Sequence, residues 1–343
     1  MTTLGAVAVL GPHIVDILGR PVSAIPAGQG SVRLDEIRIT VAGTGGGAAV
    51  DLAKLGCSVS SFAAIGDDML GQLLHTQLAA RGVNTAGLVT RRDAVTSSTI
   101  LPIRPNGERP ALHVPGATPT LMADDVDVDA LLAADAILFG GPETTPHLLD
   151  SDGIALLEAV HAAGKPIFVD LLHPATPATL ELLAPLLPLT AWFMPNDQQL
   201  RGLTGFDDLV DAAKALLARG VGAVAVTVGD QGALLVRPDV EPARVPALPT
   251  TVVDTTGCGD SFNAGMIAGL LSGCTPEDAA LIGCASGALV ASGLGSDAGI
   301  GDLADVLAAI AVSHPVAASR IGRTIDGHVS RGEHRDHRTR RQH

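Results

Sequence analysis

Short apolar runs that alternate with stretches of helical periodicity predict an α/β fold, with layers of helices around a mostly parallel sheet. Three observations support it. The alternation continues through most of the 343 residues, a length that fills one large domain or two small ones. Hydrophobic residues make up 47% of the chain but aromatics only 2%, so the core must be built from Ala, Val, Leu and Ile. Two stretches, 32–41 and 96–114, break the alternation with β-type patterning, which predicts a small sheet added to the main body or a pair of surface hairpins.

In chain order, 6–10 reads as a buried strand, and Asp16 follows where the strand's carboxyl end opens into a loop. The apolar start lacks a basic leader region and meets Pro12 and Asp16 early, so it reads as strand and not as a signal peptide. Helix is expected over 50–55, strand over 59–65 and helix over 70–81, with Asp67 and Asp68 as turn and helix-start residues. Buried strands follow at 136–139, 166–169, 191–194 and 223–227, with helices at 154–163 and 209–218. Asp170 ends one of these strands as a cap. A turn over 227–233 reads as a hairpin, and helices are expected from Ser261 toward Leu271 and over 279–291. The segment 313–343, rich in His and Arg with almost no apolar periodicity, is expected to be a flexible tail.

A formal charge of −14 disfavours a nucleic-acid or anionic-membrane partner, and no stretch of about 20 apolar residues suggests a membrane span. Cys57, Cys258, Cys274 and Cys284 form no CxxC pair, which fits free thiols in a cytoplasmic protein.

The densest chemistry lies in Asp254-Thr255-Thr256-Gly257-Cys258-Gly259-Asp260-Ser261-Phe262-Asn263-Ala264-Gly265. Glycines before a helix let backbone N–H groups approach an anion, and Asp260 stands where it can take a proton from an attacking hydroxyl. No Lys-Ser/Thr pair follows, so this is not a Walker A loop. A second glycine turn, 42–47, precedes the helix that ends Leu52-Ala53-Lys54-Leu55-Gly56. Gly43, Gly45 and Ala48 also satisfy a GxGxxA pattern with Asp67 downstream, which keeps a dinucleotide-dependent oxidoreductase open as an alternative.

Taken together these segments resemble the two signatures of the PfkB or ribokinase-like carbohydrate kinases, over roughly residues 4–312. That resemblance implies a three-layer ribokinase-like fold in which 32–41 and 96–114 form a small β-sheet lid, a frequent contributor to a homodimer. It implies ATP and Mg²⁺, with K⁺ in many members, and phosphoryl transfer to a hydroxyl of a sugar or nucleoside. Asp260 is then the catalytic base; Gly257, Cys258 and Gly259 form the anion hole; Asp254 and Thr256 lie at the monovalent-cation position. Asp16, Gly43 and Gly47 hold the acceptor, and Asn196, Thr227, Gly229 and Gly232 serve the nucleotide. The chain departs from the pattern at Gly47, where the family carries Asn, and at Gln199, where a Glu helps organise Mg²⁺. These departures motivate a further alternative, a sugar or nucleotide sensor that binds without turnover.

Overall fold

The computed structural model describes residues 3–339. The chain runs through β1 (Ala6–Leu10), β2 (Ile14–Arg20), β3 (Glu36–Ala42), α1 (Gly46–Lys54), β4 (Ser58–Gly66), α2 (Met69–Ala80) and β5 (Asn84–Arg91). Next come β6 (Ser98–Pro102), β7 (Leu112–Val114), α3 (Val128–Ala133), β8 (Ala136–Gly140), α4 (Ser151–Ala162) and β9 (Ile167–Asp170). These lead to α5 (Pro177–Leu182), β10 (Thr190–Phe193), α6 (Asp197–Thr204), α7 (Leu209–Leu217), β11 (Val224–Thr227), β12 (Ala233–Arg237) and β13 (Val240–Val245). Four helices finish the described chain: α8 (Cys258–Leu271), α9 (Pro276–Ala291), α10 (Leu303–Ser313) and α11 (Pro315–Thr339).

A nine-stranded sheet has the order β13-β12-β11-β10-β9-β8-β1-β4-β5. Its pairs are parallel from β11 to β5, and β12 and β13 add an antiparallel edge. Successive residues of a strand face opposite layers. Val7 and Val9 therefore enter one apolar layer while Ala8 and Leu10 enter the other. Small residues set the helix spacing: a Cβ on Gly265 of α8 would stand 2.8 Å from the Gly283 Cα of α9. That close approach is how a core poor in aromatics fills its volume.

The two interrupting stretches belong to a four-stranded sheet ordered β3-β2-β6-β7, as expected for a lid. Asp16, however, lies inside β2 and not in a loop. Pro12 ends β1, but the apolar Ile14, Val15, Ile17 and Leu18 restart the chain as a strand of the second sheet. The half-exposed β5 has no clean alternation and was not anticipated; its Gly87 is fixed by Phe62, which a Cβ would approach to 2.5 Å.

The flexible tail is also corrected. Residues from Pro315 onward form α11, whose Ile321 and Ile325 are buried in the core while Val329 packs against it. Arg320 makes two charge-assisted hydrogen bonds to Asp278. One apolar residue per turn within a charged sequence was a weak periodic signal, but it suffices to dock the helix. Residues 340–343 lie outside the described residues. Among the described residues no helix is long and apolar enough to cross a membrane.

Candidate active site

The carboxyl ends of the central strands, the start of α8 and the cleft face of the lid meet around a cavity of about 200 Å³. Its walls include Asp16 and Gly43 from the lid side, Asn196 and Thr227 from the strand ends, and Thr256, Gly257, Gly259 and Asp260 from the α8 turn. Segments far apart in sequence are thus brought to one place.

Helix α8 begins at Cys258, three residues earlier than the periodicity suggests. Gly257 caps it with φ +79°, and a Cβ there would meet the Ser296 carbonyl oxygen at 2.3 Å, so glycine is required. Gly259, by contrast, has nothing within 4 Å of a hypothetical Cβ, and its bare backbone faces the cavity. The first N–H groups of a helix lack intrahelical acceptors and carry the positive end of its dipole. This turn therefore fits a phosphate. Cys258 does not line the cavity, and burial pushes its thiol up to about 12, which leaves it a neutral small residue without nucleophilic character.

Asp260, in the first turn of α8, faces the cavity; burial pushes its carboxyl up to about 6 against the opposing charge of Arg109. Gly47 lies directly behind it: a Cβ on residue 47 would stand 2.8 Å from Asp260 Oδ2. Gly47 consequently backs the carboxylate instead of lining the cavity.

Asp16 on β2 is buried, and burial, helped by the charge of Asp260, raises its carboxyl to about 7 while the Thr99 hydroxyl opposes. Gly43, with φ +84°, passes so near Pro12 and Ile14 that a Cβ would meet the Pro12 carbonyl oxygen at 2.5 Å.

Asp254 is spent on architecture. Its Oδ1 accepts from Thr256 N (3.0 Å) and Oγ1 (2.8 Å), and its Oδ2 accepts from Gly295 N (3.0 Å), which ties the turn to the loop after α9.

On the opposite side, Asn196 caps α6 through Oδ1 to Gln199 N (2.8 Å), and Gln199 Oε1 returns the bond to Asn196 N (2.9 Å). Gln199 Nε2 donates to the carbonyl oxygens of Leu171 (2.9 Å) and His173 (3.2 Å). The amide that replaces a carboxylate thus supports the 171–173 loop, a task that needs a donor. Of the remaining expected nucleotide contacts, Thr227 lines the cavity, whereas Gly229 and Gly232 do not. Gly232 tightens the β11–β12 hairpin, where a Cβ would stand 2.1 Å from the Val245 carbonyl oxygen.

Sequence reading missed Arg109, which reaches from the lid to donate Nε to Thr255 Oγ1 at 3.2 Å and lines the cavity. No motif surrounds it. Asp170 does cap, accepting from Leu171 N at 2.7 Å, but its other oxygen accepts from Asn263 Nδ2 at 2.7 Å and its residue lines the same cavity. Burial and then the Asp260 charge raise its carboxyl well above the usual range. The position at a strand's carboxyl end was the available signal.

The family model of the pfkB family carbohydrate kinases matches residues 6–301. The chain belongs to this family. Among pfkB relatives, a deoxyribokinase of Salmonella typhi is 29% identical over 266 residues, 75% of this chain and 82% of that protein. A ribokinase of Mus musculus is 28% identical over 264 residues, 75% of this chain and 79% of its own. Among solved structures, Arabidopsis thaliana ribokinase complexed with ribose and ATP superposes with a TM-score of 0.77 at 22% identity, covering 89% of this chain and 98% of that one. Ribokinase of Thermotoga maritima gives a TM-score of 0.75 at 24% identity, covering 89% and 99%. These likenesses establish the three-layer ribokinase-like fold with its small β-sheet lid, and the pfkB model rules out the dinucleotide-dependent oxidoreductase as a family assignment.

Proposed function

We propose that the protein transfers the γ-phosphoryl group of ATP to a primary hydroxyl of a sugar or related small molecule, with Asp260 as the general base. The observation that carries this reading is the placement of Asp260. It stands in the first turn of α8, facing a cavity whose other side holds Asp16, with a carboxyl raised only to about 6. At neutral pH such a group is mostly ionised yet basic enough to accept a hydroxyl proton as attack proceeds.

Asp16 orients the acceptor by receiving hydrogen bonds from its hydroxyls. The reacting hydroxyl gives its proton to Asp260 as its oxygen bonds to phosphorus; the bond to ADP breaks, and Asp260 later releases the proton to water. Backbone N–H groups of the turn around Gly257 and Gly259 and the guanidinium of Arg109 stand where charge develops on the transferred group. Bound Mg²⁺ would neutralise the nucleotide phosphates, and we assign its support to the Asn196 side of the cleft; Gln199, with both amide protons engaged, acts through the loop it braces. Mg²⁺ in such a cleft would draw its ligands from phosphate oxygens and water together with few protein groups. A potassium ion fits this reading near the Asp254–Thr256 and 293–297 segments, through backbone oxygens.

The same proposal includes a homodimer through the lid. Ile37, Ile39, Ile100, Leu112 and Val114 are exposed on its strands, and the register sets Ile39, Ile17, Ile100 and Leu112 in one cross-strand row. A row of this kind is apolar surface suited to a second copy. Four free cysteines, none paired, support a reducing cytoplasm as its setting.

The test is Mg-ATP-dependent phosphorylation across sugars and nucleosides, read by product mass with potassium varied. Product formation supports the kinase. Mg-ATP and acceptor binding without product in the folded protein would favour the sensor.

A further inference from the structure

A second chamber of about 250 Å³ adjoins the catalytic cleft, and Leu172 stands in the wall of both. The lid connects them. Asp16 on β2 is paired with Thr99 on β6, Thr99 is paired with His113 on β7, and Thr99 Oγ1 lies 3.0 Å from His113 Nδ1. Two strand spacings place His113 roughly 10 Å from Asp16 across the sheet. Each chamber alone falls short of the lower end of ordinary ligand sites, about 300 Å³, so an occupant of ordinary size would span both across Leu172.

The second chamber has a different chemistry from the first. Pro12, Ile14, Pro115, Pro119, Pro146 and Leu172 give it largely apolar walls. Against these stand the imidazoles of His113 and His173, whose ring centroids lie 6.0 Å apart at an interplanar angle of 71°. Glu143 Oε1 is fixed by the N–H groups of Leu172 (2.8 Å) and His173 (2.9 Å). Glu143 Oε2 and Thr118 Oγ1 are buried, and neither has a partner among the described residues.

We propose that this chamber is the far half of the acceptor site and receives the nitrogen heterocycle of a nucleoside whose pentose lies at Asp16. The proposal rests on the kinase reading above. A polyol would press several hydroxyls against prolines that cannot satisfy them. A heterocycle instead lays its faces on the apolar wall and imidazoles, and turns an N–H edge toward Glu143 Oε2 and Thr118 Oγ1. A bare pentose at Asp16 leaves the chamber to water.

Calorimetric binding and ADP release are measured with ribose, 2-deoxyribose and fructose against adenosine, cytidine and uridine. The best nucleoside should exceed free ribose at least tenfold in kcat/KM. Glu143→Gln keeps an oxygen for the two backbone donors but removes the charge, and Thr118→Val removes the hydroxyl at nearly constant shape; each should weaken nucleoside binding about tenfold and pentose binding less than twofold. His173→Trp, which narrows the chamber, should exclude nucleosides while pentoses still bind. Equal effects on both acceptor classes, or a sugar with an apolar substituent free of nitrogen that outperforms every nucleoside, would overturn the assignment. If pentoses are phosphorylated and nucleosides neither bind nor react, the chamber proposal fails and the kinase stands. If nucleosides bind through Glu143 with no phosphorylation of any acceptor, the kinase reading fails and the chamber stands.

Discussion

The anion turn and the acceptor end of the cleft are built on opposite plans. At the turn, Asp254 through Asp260 supply the cap, the bare glycine and the carboxylate within one short segment, whose bonds mostly close on itself. The acceptor end takes Asp16 from β2 and Gly43 from the turn after β3, residues apart in sequence, while Arg109 crosses from the lid to the anion turn. Contiguity makes the turn robust and its chemistry general; dispersal lets the acceptor end change one residue at a time. The turn should therefore govern whether phosphate moves, and the acceptor end which hydroxyl receives it.

The sharpest way to break that division is Asp260→Asn. Loss of a positioned general base costs typically 10²–10⁴-fold. We expect kcat to fall within that range for every acceptor alike while ATP binding, measured by calorimetry, stays within about threefold; a loss confined to one acceptor would move Asp260 into the specificity machinery. Gly47→Ala is the next largest. It adds a methyl where Asp260 Oδ2 leaves only 2.8 Å, and displacement of a reacting group by about 1 Å can cost 10²-fold. Helical Ala is favoured over Gly by about 0.5–1 kcal/mol, so the variant should lose ten- to a hundredfold in kcat without loss of Tm. A gain in kcat would mean that the carboxylate rests against Gly47 and works elsewhere.

The same contrast explains what could be read from the sequence. The anion turn was legible because its function is local, and the parallel sheet because buried strands are apolar runs bounded by turns. Asp16 was picked out, but its strand was not, since β2 exists only through pairing with β3 and β6. Arg109 carries no local signature; its role arises when the lid brings it to Thr255, 146 residues away. Gln199 looked like a damaged metal contact, and only the carbonyls of Leu171 and His173 explain why an amide serves there. Helix α11 was missed because three aliphatic side chains spaced about a turn apart dock a helix whose overall composition is polar.

Changing pH probes both halves at once. Asp260 must be ionised to accept a proton, so kcat/KM should fall about tenfold per unit below about 6, and Asp16, raised to about 7, should add a shallower decline just above it. Stability should run the other way. Each carboxyl is raised above its ordinary 3.8, so the folded state holds these protons more tightly than the unfolded chain. Their stabilising contribution is complete below about 3.8 and is lost as pH rises through 6 and 7. Asp260→Asn should therefore raise Tm at pH 8 relative to the parent and flatten the decline between about pH 4 and 6. An activity profile flat down to pH 5 would remove Asp260 from proton transfer.

Gln199→Glu makes the smallest change and tests the nucleotide side. In an isolated helix, Glu at this position would keep the capping box that Gln199 already closes and would also complement the positive end of the dipole. Here two carbonyl oxygens, those of Leu171 and His173, point at the side chain that would lose its donors. Buried acceptors left unpaired cost about 1–3 kcal/mol, more than the dipole returns, so Tm should drop by about 2–6 °C. Since His173 and Leu172 border the acceptor chamber, the loosened loop should raise KM for the acceptor by severalfold while KM for ATP moves less. An unchanged Tm with tighter Mg²⁺ dependence would instead show that a carboxylate at this position turns into the cleft, and that the amide is tolerated there and not required.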